Sequence, residues 1–274
     1  IISLCIMELI WQIIIILLVF GLIVGIISSI AGIGGGVFFV SILTIFFLLP
    51  INEAIDTSVF IILISSGAAF IIYLKEKRTN LKLSLIFAGF SILGSILCTL
   101  MLLFIHFDNT ILKYIFATVM LITGLNMVYK AIKTYKDSRN LTEEIEENDF
   151  SLENHDYKVN FKKSIPLFIL AGFLAHLLGI GGGVINTPAL HVVLGYPIHN
   201  STAISTSIIF FTAIYNTIVK AIIGKINYLF GIIIGIGAVL GSILGAKVSN
   251  KMPKVTLQFF VAIILMGLAI RMYF

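Results

Sequence analysis

Charge is scarce in this chain. Only 11% of its 274 residues are charged, against about 25% in ordinary soluble domains, so no water-facing coat can be assembled from them. Acids are scarcer still: of thirteen Asp and Glu, seven fall between Glu143 and Asp156. Cysteine is nearly absent. Cys5 and Cys98 lie in apolar stretches with no CxxC or Cys/His spacing, which leaves two lipid- or core-facing thiols and excludes a disulfide framework or a metal site. No Lys-Ser/Thr follows the glycine runs, and no GxSG or HExxH occurs, so a P-loop and the common hydrolase motifs are excluded. No enzyme is expected.

What remains is hydrocarbon. Hydrophobic residues make up 59% of the chain and the mean hydropathy is +1.12, which reads as an all-α polytopic membrane protein. The net charge of +5 does not signal nucleic acid, because the basic residues lie between apolar runs, as they do in cytoplasmic loops. Long runs fall at 9–30, 57–74, 83–105, 111–132, 164–178, 201–223, 228–249 and 255–273, and two short ones at 37–49 and 184–196. A helix needs about 20 residues to cross a hydrocarbon core of about 30 Å. Each short run follows a glycine cluster and is a half-helix.

The landmarks recur. Gly32-Ile33-Gly34-Gly35-Gly36-Val37 returns 147 residues on as Gly179-Ile180-Gly181-Gly182-Gly183-Val184, and Pro50, Asn80 and Gly94-Ser95 return at the same offset. Thr57-Ser58 pairs with Thr206-Ser207 after a two-residue insertion. The chain therefore reads as two homologous repeats, 9–132 and 164–273, each with a glycine-broken short half-helix plus three long helices. Between them, 133–163 is a charged cytoplasmic linker with an acidic centre. Charge does not decide the relative orientation: parallel and inverted repeats both place fourteen of the eighteen Lys and Arg on one side. Segment length favours the inverted arrangement, since 164–178 and 184–196 together are too long for one upright crossing and suit a hairpin with glycines at its tip.

An unwound backbone in lipid survives only where protein or a water-filled cavity satisfies its amides. A half-helix starting there aims free N–H groups at the same place, a ready anion site. Against this stands plain helix packing by small residues; two such runs at equivalent points favour the site. The expected substrate-binding residues are Gly34, Gly35, Gly36, Gly181, Gly182 and Gly183, with Asn186 and Thr187 in the second half-helix and Thr57, Ser58, Thr206 and Ser207 early in their helices. Capping is the other reading of those four hydroxyls. His176, Asn216, Lys220 and Glu53 are candidates for coupling or a secondary role. His176 also reads as a neutral packed histidine, and Lys220 as a snorkelling lysine that is nonetheless the one basic residue in reach of a mid-membrane cavity. Glu53 and Asp56 also read as a solvated loop.

The stretch Gly-Ile-Gly-Gly-Gly-Val-Ile-Asn-Thr-Pro-Ala-Leu at 179–190, with Tyr196-Pro197 and Ala203-Ile-Ser-Thr-Ser207, resembles the TauE/SafE sulfite exporter family. The first half repeats the pattern at 32–36, Pro50 and 53–58, with Ser41 where the second half has Pro188. The resemblance implies a multi-pass protein of the bacterial inner membrane that moves sulfite, sulfoacetate or other organosulfonates, most plausibly outward. A passive anion channel and a transporter of a non-sulfur carboxylate are the alternatives. Expected partners are the small anion, the lipid bilayer and a second copy in a homodimer; no cofactor, metal or nucleic acid is expected.

Overall fold

The computed structural model describes the backbone at residues 2–105, 107–140, 160–249 and 254–273, and side chains at 11–105, 107–128, 132, 160–249 and 261–273. The acidic centre of the linker and the Cys5 side chain lie outside the described residues. The described chain is helical: α1 (Ile2–Ala31), α2 (Gly36–Ile45), α3 (Ile51–Lys75), α4 (Leu81–Phe104), α5 (Asn109–Asn140), α6 (Phe161–Leu178), α7 (Gly183–Pro188), α8 (Ile198–Ile223), α9 (Tyr228–Val248) and α10 (Lys254–Tyr273). Seven helices among the described residues are long and apolar enough to cross a membrane.

Helix starts follow local chemistry. Pro50 and Pro197 precede α3 and α8, where a fixed φ suits helix entry. Asn80 Oδ1 accepts from Leu83 N at 3.1 Å and Asn227 Oδ1 from Phe230 N at 3.3 Å, so both recurring asparagines are N-caps. In the second half Pro188 has no N–H to continue the α pattern, and a π turn at Ala189–Val193 follows it. Ser41, at the matching place, leaves α2 unbroken and bonds back to Val37 O at 2.7 Å.

The packing is inside-out. On α9, Leu229, Ile232, Ile236, Leu240 and Leu244 face outward, as do Leu93, Leu97 and Leu100 on α4. Serines and threonines are buried instead, among them Ser58, Ser95, Ser205 and Ser242. Lipid offers no hydrophobic drive between helices, so small residues that bring backbones together do that work. Gly237, Gly241 and Gly245 of α9 lie against the backbone of Leu18, Leu22 and Ile26 in α1. Gly94 of α4 faces Ile169, Gly172 of α6 faces Ser91, and Ser95 Oγ donates to Gly172 O at 2.9 Å. Rising residue numbers on both partners make α1 and α9 parallel, and Phe87 on Phe168 with Thr99 at His176 makes α4 and α6 parallel too.

Other pairs run against each other. Thr217 of α8 reaches Val59 O of α3, while Tyr73 clusters with Ala203, so α3 and α8 are antiparallel. Tyr273 meets Thr118 and Met266 meets Gly124, so α10 opposes α5. The short helices fold back. Phe46, past the end of α2, packs on Phe20 of α1 with ring centroids 5.6 Å apart, and Phe47 packs on Phe230 near the start of α9. On the other side, Leu190, Leu194 and Tyr196 join Leu83 and Phe87 near the start of α4.

One end is clamped by charge. Lys220 Nζ lies 2.8 Å from Asp56 Oδ1, and Asp56 Oδ2 accepts from Lys225 N at 2.8 Å. Lys220 is therefore paired rather than snorkelling to solvent, and Asp56 is buried rather than part of a solvated loop; each gives the other a partner. At the opposite end Arg78 stacks over Tyr73, pairs with Glu76, and donates to Ala246 O and His199 O.

Two outcomes follow for stability. Gly94→Val drives a branched side chain into the Ile169 carbonyl and should lower the melting temperature sharply, whereas Leu97→Val on the exposed face of α4 should change stability by about 0.5 kcal/mol or less. Lys220→Ala leaves a buried carboxylate unpaired and should cost about 3–5 kcal/mol, most of it recovered when Asp56→Asn and Lys220→Met are combined. Melting of the purified variants in detergent checks both.

Candidate functional site

The two glycine runs meet. Gly36 abuts the Gly179 carbonyl and Gly183 abuts the Gly32 carbonyl, so tightly that a methyl group on either would collide with it. Gly34 and Gly181 face each other at the crossing, flanked by Ile62 and Ile209, each half-way along its helix. The runs thus cross antiparallel at mid-depth. Gly35 and Gly182, at φ 73° and 79°, are left-handed N-caps of α2 and α7, and Gly32, Gly34, Gly179 and Gly181 also have positive φ. A side chain there is strained even where space exists.

Breaking two helices frees carbonyls, and hydroxyls from other helices receive them. Ser58 Oγ donates to Gly179 O at 3.0 Å. Gly32 O accepts from Ser205 Oγ at 3.0 Å and from Thr187 Oγ1 at 2.9 Å. The hydroxyls of Ser58 and Thr187, expected to face an anion, are engaged here in holding the breaks. Ser205, not Ser207, takes the place matching Ser58, at the unbroken 147-residue offset and without an insertion. Ser207 bonds to Ala203 O and Thr79, and Thr206 to Thr202 O, both away from the crossing. Thr57 Oγ1 accepts from Asn227 N at 2.9 Å and anchors the start of α9. Glu53 sits half-buried in the first turn of α3, where an acid complements the helix dipole.

Beside the crossing lies a cavity of about 10 Å³, lined by Val59, Ile62, Ala175, Gly181, Ile209, Thr212, Ala213 and Asn216. That is room for about one water. Of the expected residues, Gly181 and Asn216 line it. His176 stands behind Asn216, with Nδ1 3.0 Å from Asn216 Oδ1 and Nε2 3.1 Å from Thr99 Oγ1. Thr99 was not singled out in the sequence, and only the packing of its helix, α4, on α6 reveals it.

Asn186, like Thr44 among the described residues, departs from this good pairing. It is 1% exposed, and neither its Nδ2 nor its Oδ1 has a hydrogen-bond partner. A buried amide left unpaired costs about 1–3 kcal/mol, so this residue carries a penalty that the fold does not recover. Its place on the chain, four residues after the Gly182 cap and with its N–H bonded to Gly182 O at 3.0 Å, ties it to the glycine crossing.

Among the described residues no cluster of His, Cys, Asp or Glu could hold a metal ion. Cys98 is a free, buried thiol.

No solved structure matches the chain. It is 26% identical to the probable membrane transporter protein YunE of Bacillus subtilis, over 92% of this chain and 94% of that protein. A probable membrane transporter of Methanocaldococcus jannaschii is 30% identical over 79% of this chain and 75% of its own length. YdhB of Bacillus subtilis, another probable membrane transporter, is 26% identical over 85% of this chain and 89% of its own. The model of the sulfite exporter TauE/SafE family matches residues 17–272, and the chain is a multi-pass membrane protein that belongs to that family of transporters.

Proposed function

We propose that the protein is a secondary transporter that carries small sulfur-containing anions, such as sulfite, sulfoacetate or other organosulfonates, outward across the inner membrane. The observation that carries this reading is the crossing of two broken helices at mid-depth, with the unpaired amide of Asn186 close by in the chain. Anions are bound at such breaks by backbone N–H groups and neutral donors, and midplane sites made by broken helices suit alternating access. Neutral donors offset an anion's desolvation without the grip of a fixed cation, and Lys220 is already neutralised by Asp56. A continuous pore is disfavoured, since the crossing leaves space for about one water.

The reading includes two inverted repeats with α3 facing α8 and α5 facing α10 across the centre. The antiparallel pairs, the matched N-caps Asn80 and Asn227, and the reciprocal bonds of Ser58 and Ser205 support it. In that arrangement loop 75–82, the two ends of the linker and the α9–α10 connection share one side, which the positive-inside rule makes cytoplasmic. Lys113, Lys220, Lys225 and Arg271 then lie toward the other face.

Asn186 separates binding from folding. Asn186→Leu removes two unsatisfied polar atoms and should leave the melting temperature equal or higher, while anion binding falls by about tenfold or more, equivalent to about 1.4 kcal/mol. Titration of purified protein with sulfite, sulfoacetate and a non-sulfur carboxylate reads the binding. A variant that keeps full affinity would rule out Asn186 as a ligand, and preference for the carboxylate would overturn the substrate class. Gly181→Ala has room for its methyl but forces alanine into left-handed φ. It should cost about 1–2 kcal/mol of stability and reduce transport in liposomes well beyond the loss of folded protein.

A further inference from the structure

The crossing has donors but no unpaired charge, and a buried histidine stands one residue behind it. His176 is 2% exposed, and its partners are arranged to accept a proton. Asn216 Oδ1 only accepts, so at 3.0 Å it holds a proton on Nδ1 in either state of the ring. Thr99 Oγ1 lies 3.1 Å from Nε2 and 2.9 Å from Ser95 O. Its single hydroxyl proton thus has two acceptors to choose between. With neutral His176 the hydroxyl donates to Nε2. When a proton arrives on Nε2, the hydroxyl turns to Ser95 O, and Nε2–H donates to Thr99 Oγ1. Both states are fully hydrogen-bonded, and only one O–H rotates between them. A histidine that served packing alone would need one satisfied state, not two.

The cavity supplies the reason for a proton to come. Asn216 is at once the partner of His176 and a wall of the cavity. The charged and titratable groups around His176 are Tyr215 and Lys220 on α8, Asp56 on α3, and Cys98 beside Thr99 on α4. The α7 helix adds none, and His191 on the π turn bonds to Tyr196 O. Lys220 and Asp56 neutralise each other, so an anion for which this one-water cavity widens meets no net counter-charge there. Burying an uncompensated charge is costly, and an intramembrane ionisable residue is the natural source of compensation.

We propose that His176 is the proton-binding site of this transporter: it takes up one proton as an anion enters beside Asn216, and the two cross together, with the anion's own outward gradient driving export. This rests on the anion-carrier reading above. Linkage makes the effect reciprocal: the anion raises the affinity of His176 for a proton, and the proton raises affinity for the anion. Anion affinity therefore rises as pH falls.

The test uses the full chain in liposomes with a trapped pH dye and, as probes, thiosulfate and methanesulfonate, whose charges stay fixed as the pH is varied. Wild type should acidify the lumen by one proton per anion entering, and uptake should rise steadily as the pH is lowered. Folded His176→Gln, which keeps a hydrogen bond to Asn216, should move the anion much more weakly, and what it moves should show neither the acidification nor the pH dependence. Unchanged acidification per anion in that variant overturns the proposal. If His176→Gln does not fold, Thr99→Val serves: it removes the acceptor for Nε2–H and should shift the rise in uptake to lower pH, and an unshifted profile overturns the proposal. Anion uptake without proton movement in wild type overturns the proton site alone, whereas uptake of neither probe overturns the carrier reading and this inference with it.

Discussion

A carbonyl oxygen buried away from water must find a donor, and much of this molecule is arranged around two that lost theirs. Where α1 and α6 stop, Gly32 O and Gly179 O fall out of helical bonding at mid-depth. Hydroxyls from other helices receive them: Ser205 and Thr187 on one side, Ser58 on the other. Each of these bonds ties one half of the chain to the other, except that Ser205 and Thr187 share a single acceptor. The breaks are therefore not local events. They exist because α3 and α8 cross the centre and present serines at the right depth, and α3 and α8 are held there by contact with the breaks.

Close approach without a hydrophobic drive completes the picture. Glycines on α9 lie on the backbone of α1, and Gly94 and Gly172 join α4 to α6. These seams are lined by small residues, and leucines and isoleucines cover the outside. The core resists volume rather than polarity: an added methyl at Gly36 meets backbone, while a serine hydroxyl is accommodated wherever a carbonyl stands near.

The sequence made several of these features visible. Hydropathy disclosed the membrane class, and the recurring glycines, prolines and asparagines disclosed the two breaks and the helix starts. Asn216 and His176 were visible as polar residues in apolar runs. Their partners were not: Thr99 looks like any helix threonine until α4 is laid on α6. Asp56 and Lys220 lie far apart in sequence, so each looked like a residue reaching for solvent. Ser205 was hidden for a different reason. The Thr-Ser pair recurs two residues later, and matching by letters chose Ser207, whereas matching by depth chooses the residue whose hydroxyl reaches the carbonyl. Helix periodicity carries which face a residue shares, but which acceptor it meets is decided by crossing helices.

The two mouths are fastened by unlike chemistry. At one, Asp56 holds Lys220 and the start of the loop before α9; the residues at the matching positions of the other half are Ala203 and Tyr73, and there Arg78 is fastened to carbonyls instead. An ion pair loosens as water arrives, because hydration compensates each charge separately. A guanidinium on neutral carbonyls gains less from the same water. The first end is thus held by a pair that wetting weakens, the second by bonds that solvent only replaces. The two ends of the scaffold are for this reason unequal in what water does to them.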